Sequence, residues 1–336
     1  MSLRPMSPRL ARRRALALPA LLLAPAPARP ALAQPTWSPA RPVTLVVPYP
    51  AGGPTDVLAR LVAAEMAKDL NAPVIVENIA GGAGAIGTRR VATGAADGTS
   101  IMLASNQTHA TNISLLPDGG GYDPVRDFAP IAGLADLQHI LVVRPDVPAE
   151  TVAQLLALAR AQPGKLTCAS TGQGSASHLT LELFRAKTGV DMVHVPYRGS
   201  SPMLNDLLGG HVQLSFATAP TVLTQVQSGK LRALAVASPN RSPHLPALPT
   251  LAEAGVPGVE ADAWFGLFAP AAVPAPALAR LREVTLAAMA REPVRVRTTE
   301  VGMTVNVRPA DAMAAFLRED IARWAEVIRT ANVKPE

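Results

Sequence analysis

Short runs of β-branched and aliphatic residues alternate, along almost the whole chain, with longer segments whose apolar positions fall on one helical face. Val43 to Val47 reads as a buried strand that stops at Pro48 and Pro50, crosses Gly52-Gly53 and restarts as a helix with Leu58, Leu61 and Val62 on one side. Continued on the same basis, the pattern predicts strand 42–47, helix 55–69, strand 73–77, helix 84–93, strand 100–104 and a short helix near 107–114. A long apolar stretch, Ile131 to Val143, follows the turn cluster Gly119-Gly120-Gly121-Tyr122-Asp123-Pro124. Beyond it come helix 149–161, strand 165–169, helix 175–187, strand 192–196, helix 202–208, strand 212–217, helix 220–228 and strand 231–237. Pro239 to Pro257 reads as loop, Ala261 to Ala269 as a second long strand, and helices 275–290 and 309–330 close the chain.

Alternation of this kind predicts an α/β protein with parallel sheets and helices on both faces. The two long strands divide it into two α/β lobes joined by two crossover strands with a ligand cleft between. Residues 34–137 plus 260–336 form lobe 1, and 138–259 form lobe 2. The last helices return to the first lobe.

Charge changes the view of the N-terminus. Residues 1–33 hold Arg4, Arg9, Arg12, Arg13, Arg14 and Arg29 and no acid, then an apolar run Ala15 to Ala24, then the small-x-small sequence Ala31-Leu32-Ala33. That order predicts a signal peptide cleaved before Gln34 and export to the periplasm. Arg12-Arg13-Arg14 leaves both the general secretory route and the twin-arginine route open. The full chain has 31 basic and 25 acidic residues, a net charge of +6; without the six leader arginines the two signs balance. The mature protein therefore shows no electrostatic bias toward nucleic acid. The single cysteine, Cys168, excludes an intrachain disulfide, and its neighbours Leu166 and Ala169 predict a buried, inert thiol.

In open α/β sheets, ligands lie beyond the carboxyl ends of the strands. Those ends are Tyr49 to Asp56, Ser105 to His109, Ser170 to Ser175, Tyr197 to Ser201 and Ala217 to Ala219. They are rich in hydroxyls, glycines and helix N-termini and nearly free of acids, the chemistry of an anion site. Thr55 or Asp56 is placed to cap the first helix. A hydrogen bond to a charged group nets about 1.5–3 kcal/mol, and a micromolar dissociation constant corresponds to about 8 kcal/mol. A handful of such bonds thus suffices for a carboxylate without an arginine.

Several motifs look sharper than they are. Gly82-x-Gly84-x-x-Gly87 has the spacing of a dinucleotide fingerprint, but it follows the second strand and has no acid about twenty residues on, so it reads as a tight strand-to-helix turn. A serine hydrolase using Ser175 or Ser170 with His178 or His109 is the alternative function, and it lacks a Gly-x-Ser-x-Gly elbow. His139, His194, His211 and His244 have no metal-ligand spacing. No cofactor and no metal is expected.

The residues themselves carry a resemblance. Val47-Pro48-Tyr49-Pro50-Ala51-Gly52-Gly53-x-x-Asp56 resembles the first loop of the Bug-type extracytoplasmic solute receptors, the substrate-binding proteins of tripartite tricarboxylate transporters. The likeness continues through Val76-Glu77-Asn78, Gly81 to Gly87, Thr108-His109, Asp127-Phe128 and Gly172 to His178. It runs on through Val195-Pro196-Tyr197-Arg198-Gly199, Leu207 to Gly210, Gly229 to Ala235, Pro249 to Gly255 and Trp264-Phe265-Gly266-Leu267.

The resemblance implies a type II periplasmic-binding-protein fold that closes on a small carboxylate, a di- or tricarboxylate or an aromatic acid, and delivers it to integral-membrane transporter subunits. It implies that Ala51 to Thr55 hold one carboxylate. One departure is Ala217, where amino-acid-binding members carry an acid suited to an ammonium group. The ligand-binding set expected on both grounds is Tyr49, Ala51, Gly52, Gly53, Thr55, Asp56, Asn106, Thr108, His109, Ser170, Thr171, Gly172, Gly174, Ser175, His178, Tyr197, Arg198 and Thr218. For His109 and His178, ligand contact and a structural role are both open, as are ligand contact and a lobe tie for Arg198. Trp264 and Phe265 read as crossover core, with lining of the cleft as the alternative. No catalytic residue and no nucleic-acid partner is expected, and the chain is expected to act as a monomer. A ligand sensor for a membrane signalling partner would use the same cleft.

Overall fold

The structure, a computed structural model, describes residues 1–2 and 37–333. The export signal expected over 1–33, with its cleavage point before Gln34, lies outside the described residues save for Met1 and Ser2.

The first half begins β1 (Val43–Val47), α1 (Pro54–Leu70), β2 (Val74–Asn78), α2 (Ala85–Ala92) and β3 (Ser100–Ser105). A wide π-type turn over Gln107–Thr111 leads into α3 (Asn112–Leu115) and then β4 (Phe128–Leu137). The chain then enters the second half as β5 (His139–Val143), α4 (Val152–Ala161), β6 (Thr167–Ser170), α5 (Ala176–Thr188) and β7 (Val193–Pro196). It continues as α6 (Ser200–Gly209), β8 (Leu214–Thr218), α7 (Ala219–Gln227) and β9 (Arg232–Val236). It returns as β10 (Ala263–Pro270), α8 (Ala275–Ala290), α9 (Glu292–Glu300), β11 (Thr304–Pro309) and α10 (Ala310–Thr330).

The sheets are mixed, which corrects the expectation of parallel sheets. The six-stranded sheet has the order β11-β4-β10-β3-β1-β2, and the five-stranded sheet β7-β6-β8-β5-β9. Strands of the βα series pair in parallel, β1 with β2 and β3, and β6 with β7 and β8. The crossover strands break the rule: β10 is antiparallel to β3 and β4, and β5 to β8 and β9. The reason is direction. β1, β3, β6 and β8 end at the space between the sheets, whereas β5 and β10 start there, so they must run the other way.

The long apolar stretch is two strands, not one. β4 belongs to the first sheet and β5 to the second, and Gln138 between them belongs to neither. Its side-chain amide donates to Ser238 Oγ and to the carbonyl of Asn240, both at 3.1 Å, and Ser238 Oγ in turn donates to Asp262 Oδ2 at 3.0 Å. The two passages between the sheets are therefore stitched to each other. α9 and β11 lie in a stretch to which the apolar pattern assigns no element. α9 is polar along most of its length, and β11 is an edge strand paired on one side only.

Each half has its own apolar core. One gathers Leu45, Leu58, Val62, Met66, Ile101 and Leu267, the other Leu155, Phe184, Leu214 and Phe216. The closing helices pack on the first half. Arg291 reaches Glu65 and Asp69 on α1 at 2.8 and 2.6 Å, and the indole of Trp264 donates to Asp320 Oδ2 on α10 at 2.7 Å. Trp264 is crossover core, as its sequence context predicts.

Candidate functional site

The strand-end loops of both sheets face one cavity of about 80 Å³. From the first half come Tyr49, Pro50, Gly53, Pro54, Thr55, Ser105, Asn106, Gln107 and Leu137, with Ala263 and Phe265 from the return strand. From the second half come His139, Thr171, Ser175, Ala176, Gly199, Ser200, Ser201 and Thr218. Among the described residues this wall contains no Asp, Glu, Lys or Arg.

The local folding is dictated by the loop residues. Gly52 adopts φ +83°, a left-handed backbone that favours glycine, and its N–H donates to Asp56 Oδ2 at 3.0 Å. Asp56 does not cap α1; no side chain does. It is buried and gripped by Arg60 as well, with Arg60 Nε 3.0 Å from Oδ2 and Nη2 2.9 Å from Oδ1. Burial alone would raise its pKa, but the bonds from Arg60 and Gly52 outweigh that and hold the carboxyl below the usual range. Asp56 thus shapes the first loop and is absent from the cavity wall. Pro54 at the first helical position needs no partner for its nitrogen, and α1 starts at the cavity.

Tyr49 turns its hydroxyl to Ser105 Oγ at 2.7 Å and Gln107 Oε1 at 3.2 Å, and burial raises its pKa far above the ordinary value. The Gln107 amide donates to the carbonyl of Gln173 at 3.2 Å, and Thr111 Oγ1 to the carbonyl of Gly174 at 2.9 Å, so the two halves are hydrogen-bonded across the cleft. Asn106 is 3% exposed and its side-chain Nδ2 has no hydrogen-bond partner among the described residues. A buried amide donor left unmet at a cavity wall is costly unless a ligand or water meets it.

On the second half, Ser175 caps α5 by accepting from the His178 N–H at 3.3 Å, and donates to the Gly172 carbonyl at 2.6 Å. Thr171 takes its place through Ser177, whose hydroxyl accepts from the Thr171 N–H at 2.9 Å. Thr218 Oγ1 pairs with Thr221 Oγ1 at 2.9 Å.

Of the expected binding residues, the cavity wall brings together Tyr49, Gly53, Thr55, Asn106, Thr171, Ser175 and Thr218. The others lie behind or beside it. Ala51 and Gly52 are exposed and outside the wall, and a Cβ on Gly52 would lie 3.8 Å from Ser201 Oγ of the second half. Thr108 is buried and folds back on Ser105, whose N–H and carbonyl both lie 3.1 Å from Thr108 Oγ1. His109 is wholly buried between Phe128 and Phe268, at ring distances of 4.8 and 4.4 Å; burial lowers its pKa to about 3. The structure gives it a core role. His178 accepts the Gly174 N–H at Nδ1 and stacks on His194 at 4.0 Å, so it too is structural, with its pKa lowered to about 3, by burial first and then by the unfavourable neighbourhood of the His194 ring and Arg185 for a second positive charge. Ser170 is buried against His194, and Gly172 and Gly174 shape the loop with φ of +135° and +68°. Tyr197 bonds Asp206 at 2.7 Å and Arg198 is exposed, neither in the wall.

Leu137, His139, Ala176 and Ala263 are wall residues that the strand-end rule overlooks, and Phe265 both joins the first core and lines the cavity, so the two readings open for it hold together. The signal for His139, Ala263 and Phe265 was available: a crossover strand starts at the cleft, so the first residues of β5 and β10 must face it. Cys168 is fully buried and its thiol pKa is pushed up to about 12 by burial, as an inert thiol requires. The glycine fingerprint is a turn. Ala83 and Gly84 take φ of 52° and 85°, and Gly87 packs directly on Pro48 and Ile79.

Two mixed α/β sheets bridged by paired crossover strands, with an uncharged cavity at the strand ends, define a two-lobed solute-binding protein of the periplasmic type. Residues 58–333 match the model of the tripartite tricarboxylate transporter family receptor. The chain belongs to that family, and it is a receptor, not an enzyme. It is 37% identical over 297 residues to the BugT protein of Bordetella pertussis, covering 88% of this chain and 91% of that one. A solved R. palustris protein with adipate superposes with a TM-score of 0.85 at 38% identity, over 89% of this chain and 99% of that one. MatC from Rhodopseudomonas palustris with bound malate gives 0.82 at 35% identity, over 86% and 99%. Among the described residues no helix is long and apolar enough to cross a membrane.

Proposed function

We propose that this protein captures a small carboxylate between its lobes in the periplasm and hands it to the integral-membrane subunits of a tripartite transporter. The observation that carries the reading is the wall itself: converging hydroxyls and amides, an unmet Asn106 Nδ2 and the start of α1, with no fixed charge of either sign. Donors of this kind suit an anion that brings its own charge, and bridging waters fill the remaining positions. The relatives solved with adipate and malate support a ligand of that class. Lobe 1, residues 34–137 plus 260–336, and lobe 2, residues 138–259, are the bodies that move, and the passages at Gln138 and between β9 and β10 are the hinge. Residues 1–33 direct export, with cleavage before Gln34, and the mature chain works as a monomer. Among the expected residues, Tyr49, Gly53, Thr55, Asn106, Thr171, Ser175 and Thr218 are the ones proposed to bind.

A thermal-shift screen over di- and tricarboxylates, amino acids and aromatic acids tests the reading. A rise in melting temperature with at least one carboxylate is expected; no shift with any of them would sink it.

A further inference from the structure

His139 is the first residue of β5, immediately past the passage between the sheets, and pairs with Thr218 across the ladder. Both residues line the cavity. The His139 ring is 2% exposed, and its Nδ1 lies 2.7 Å from the carbonyl oxygen of Ala261. A carbonyl only accepts, so Nδ1 must carry the proton. A neutral imidazole has one ring proton, so Nε2 is left as a bare lone pair. No protein group hydrogen-bonds it among the described residues. Burial opposes a second proton, lowering the ring's pKa to about 4.

This makes His139 unlike its neighbours in the wall. The hydroxyls there can turn to donate or accept, and Asn106 offers a donor. Nε2 can only accept. A ligand carboxylate placed against it sets lone pair against lone pair, whereas a ligand hydroxyl completes it.

We propose that His139 Nε2 is a specificity element that selects carboxylates bearing a hydrogen-bond donor, a hydroxyl above all, over the same skeleton without one. The proposal rests on the carboxylate reading of the cavity and names a subclass within it: hydroxy acids, aliphatic or phenolic. A site that holds an acceptor for a ligand O–H discriminates against the analogue lacking it, because the acceptor is then cut off from water by the bound ligand and left unmet.

Calorimetric titration of matched pairs tests this: malate against succinate, 2-hydroxyglutarate against glutarate, 4-hydroxybenzoate against benzoate. At least one hydroxylated partner binds about tenfold tighter than its deoxy counterpart in the unmodified protein. In His139→Asn the side-chain amide still reaches toward Ala261 while the Nε2 acceptor is gone, and the gap within the pair closes. His139→Gln, which restores an acceptor farther out, reopens part of it. Nitrogen NMR on histidine-labelled wild-type protein gives an answer that needs no variant: an unprotonated Nε2 signal that moves with the hydroxylated ligand and not with its partner.

Equal affinities within every pair that binds would overturn the proposal and leave the carboxylate reading standing. Uptake of about one proton per ligand, read by titration in buffers of different ionisation enthalpy, would also overturn it, since the ring would then bind as a cation. Binding of no carboxylate at all would overturn the underlying reading instead.

Discussion

Ser170 Oγ lies 2.6 Å from His194 Nε2, the separation of a serine nucleophile and its base. Nothing else about the pair is catalytic. Ser170 is fully buried, and no carboxylate hydrogen-bonds His194 among the described residues. The hydroxyl also bonds the Gly172 carbonyl at 3.2 Å, so the pair holds the loop that presents Thr171 and Ser175 to the cavity. Burial first, then the charge of Arg185, lowers the His194 pKa to about 4, which keeps the ring a neutral partner for the serine. Ser170→Ala is therefore expected to cost about 1 kcal/mol of stability by removing the partner of a half-buried imidazole nitrogen. Urea unfolding measures the loss, and generic ester assays detect no activity in either protein.

Asn106 supplies the unmet donor of the wall. Asn106→Asp replaces it with a carboxylate facing the ligand's own, turning about 1.5–3 kcal/mol of charge-assisted bonding into repulsion. Affinity for whichever carboxylate the screen finds should fall by at least a hundredfold, and the buried unpaired carboxyl should also lower the melting temperature of the free protein at pH 7. Undiminished binding would take Asn106 out of the site.

Gly87 carries a prediction about the glycine motif. A Cβ there would sit 2.7 Å from the Ile79 carbonyl oxygen and 3.2 Å from Pro48 Cα, both backbone atoms that cannot swing away. Gly87→Ala should cost about 1–3 kcal/mol by overpacking. It should also weaken ligand binding, because Pro48 opens the first loop of the cavity. A normal melting temperature in the variant would contradict the packing role.

His109 and His139, alongside His178 and His194, weaken the fold in acid. The pKa values of His109 and His139 are lowered by burial to about 3 and about 4, from an ordinary 6.5. Above pH 6.5 both rings are neutral folded or unfolded. Below it the unfolded chain takes up protons that the native rings refuse, so stability is lost as the pH falls toward the folded values, at about 1.4 kcal/mol per pH unit for each ring. In His109→Phe, which keeps the aromatic cluster, melting temperature should decline less between pH 6.5 and 4 than in the unmodified protein.

Asp262, between the two passages, behaves in the opposite sense. Burial raises its pKa to about 6 against the help of Ser238, with Asp136 and Glu260 adding to the rise. The folded state favours the protonated acid, so stability is fullest below pH 3.8 and is lost as pH rises through about 6. Asp262→Asn should therefore gain about 1–3 kcal/mol at pH 7, and nothing below pH 3.8, in matched denaturant curves.

The βα series was legible in the chain because each strand is a short apolar run and each helix an apolar stripe: Val43 to Val47 and Ala275 to Ala290 fall where the pattern places them. Strand direction in β5 and β10 was not, since it depends on which sheet the strand joins. That is a long-range fact with no local signature. The first loop, Asn106 and Ser175 could be found from their place at strand ends. His109 and His178 could not be sorted, because a loop histidine in the sequence is equally a ligand contact and a core residue. Only the packing of Phe128 and Phe268 on one, and His194 on the other, separates the two.

The absence of Asp, Glu, Lys and Arg from the described cavity wall has a consequence for the vacant protein. Lobes that meet over charged side chains must strip those charges of water, and that penalty props an unoccupied receptor open. At this wall no such charge has to be stripped. If the lobes move as proposed, shutting on a few waters carries no charge-desolvation penalty there, and a modest differential affinity would suffice to shift the balance. A membrane partner that recognised only the shut outline would then admit vacant molecules too, and would have to tell cargo from water by some later step.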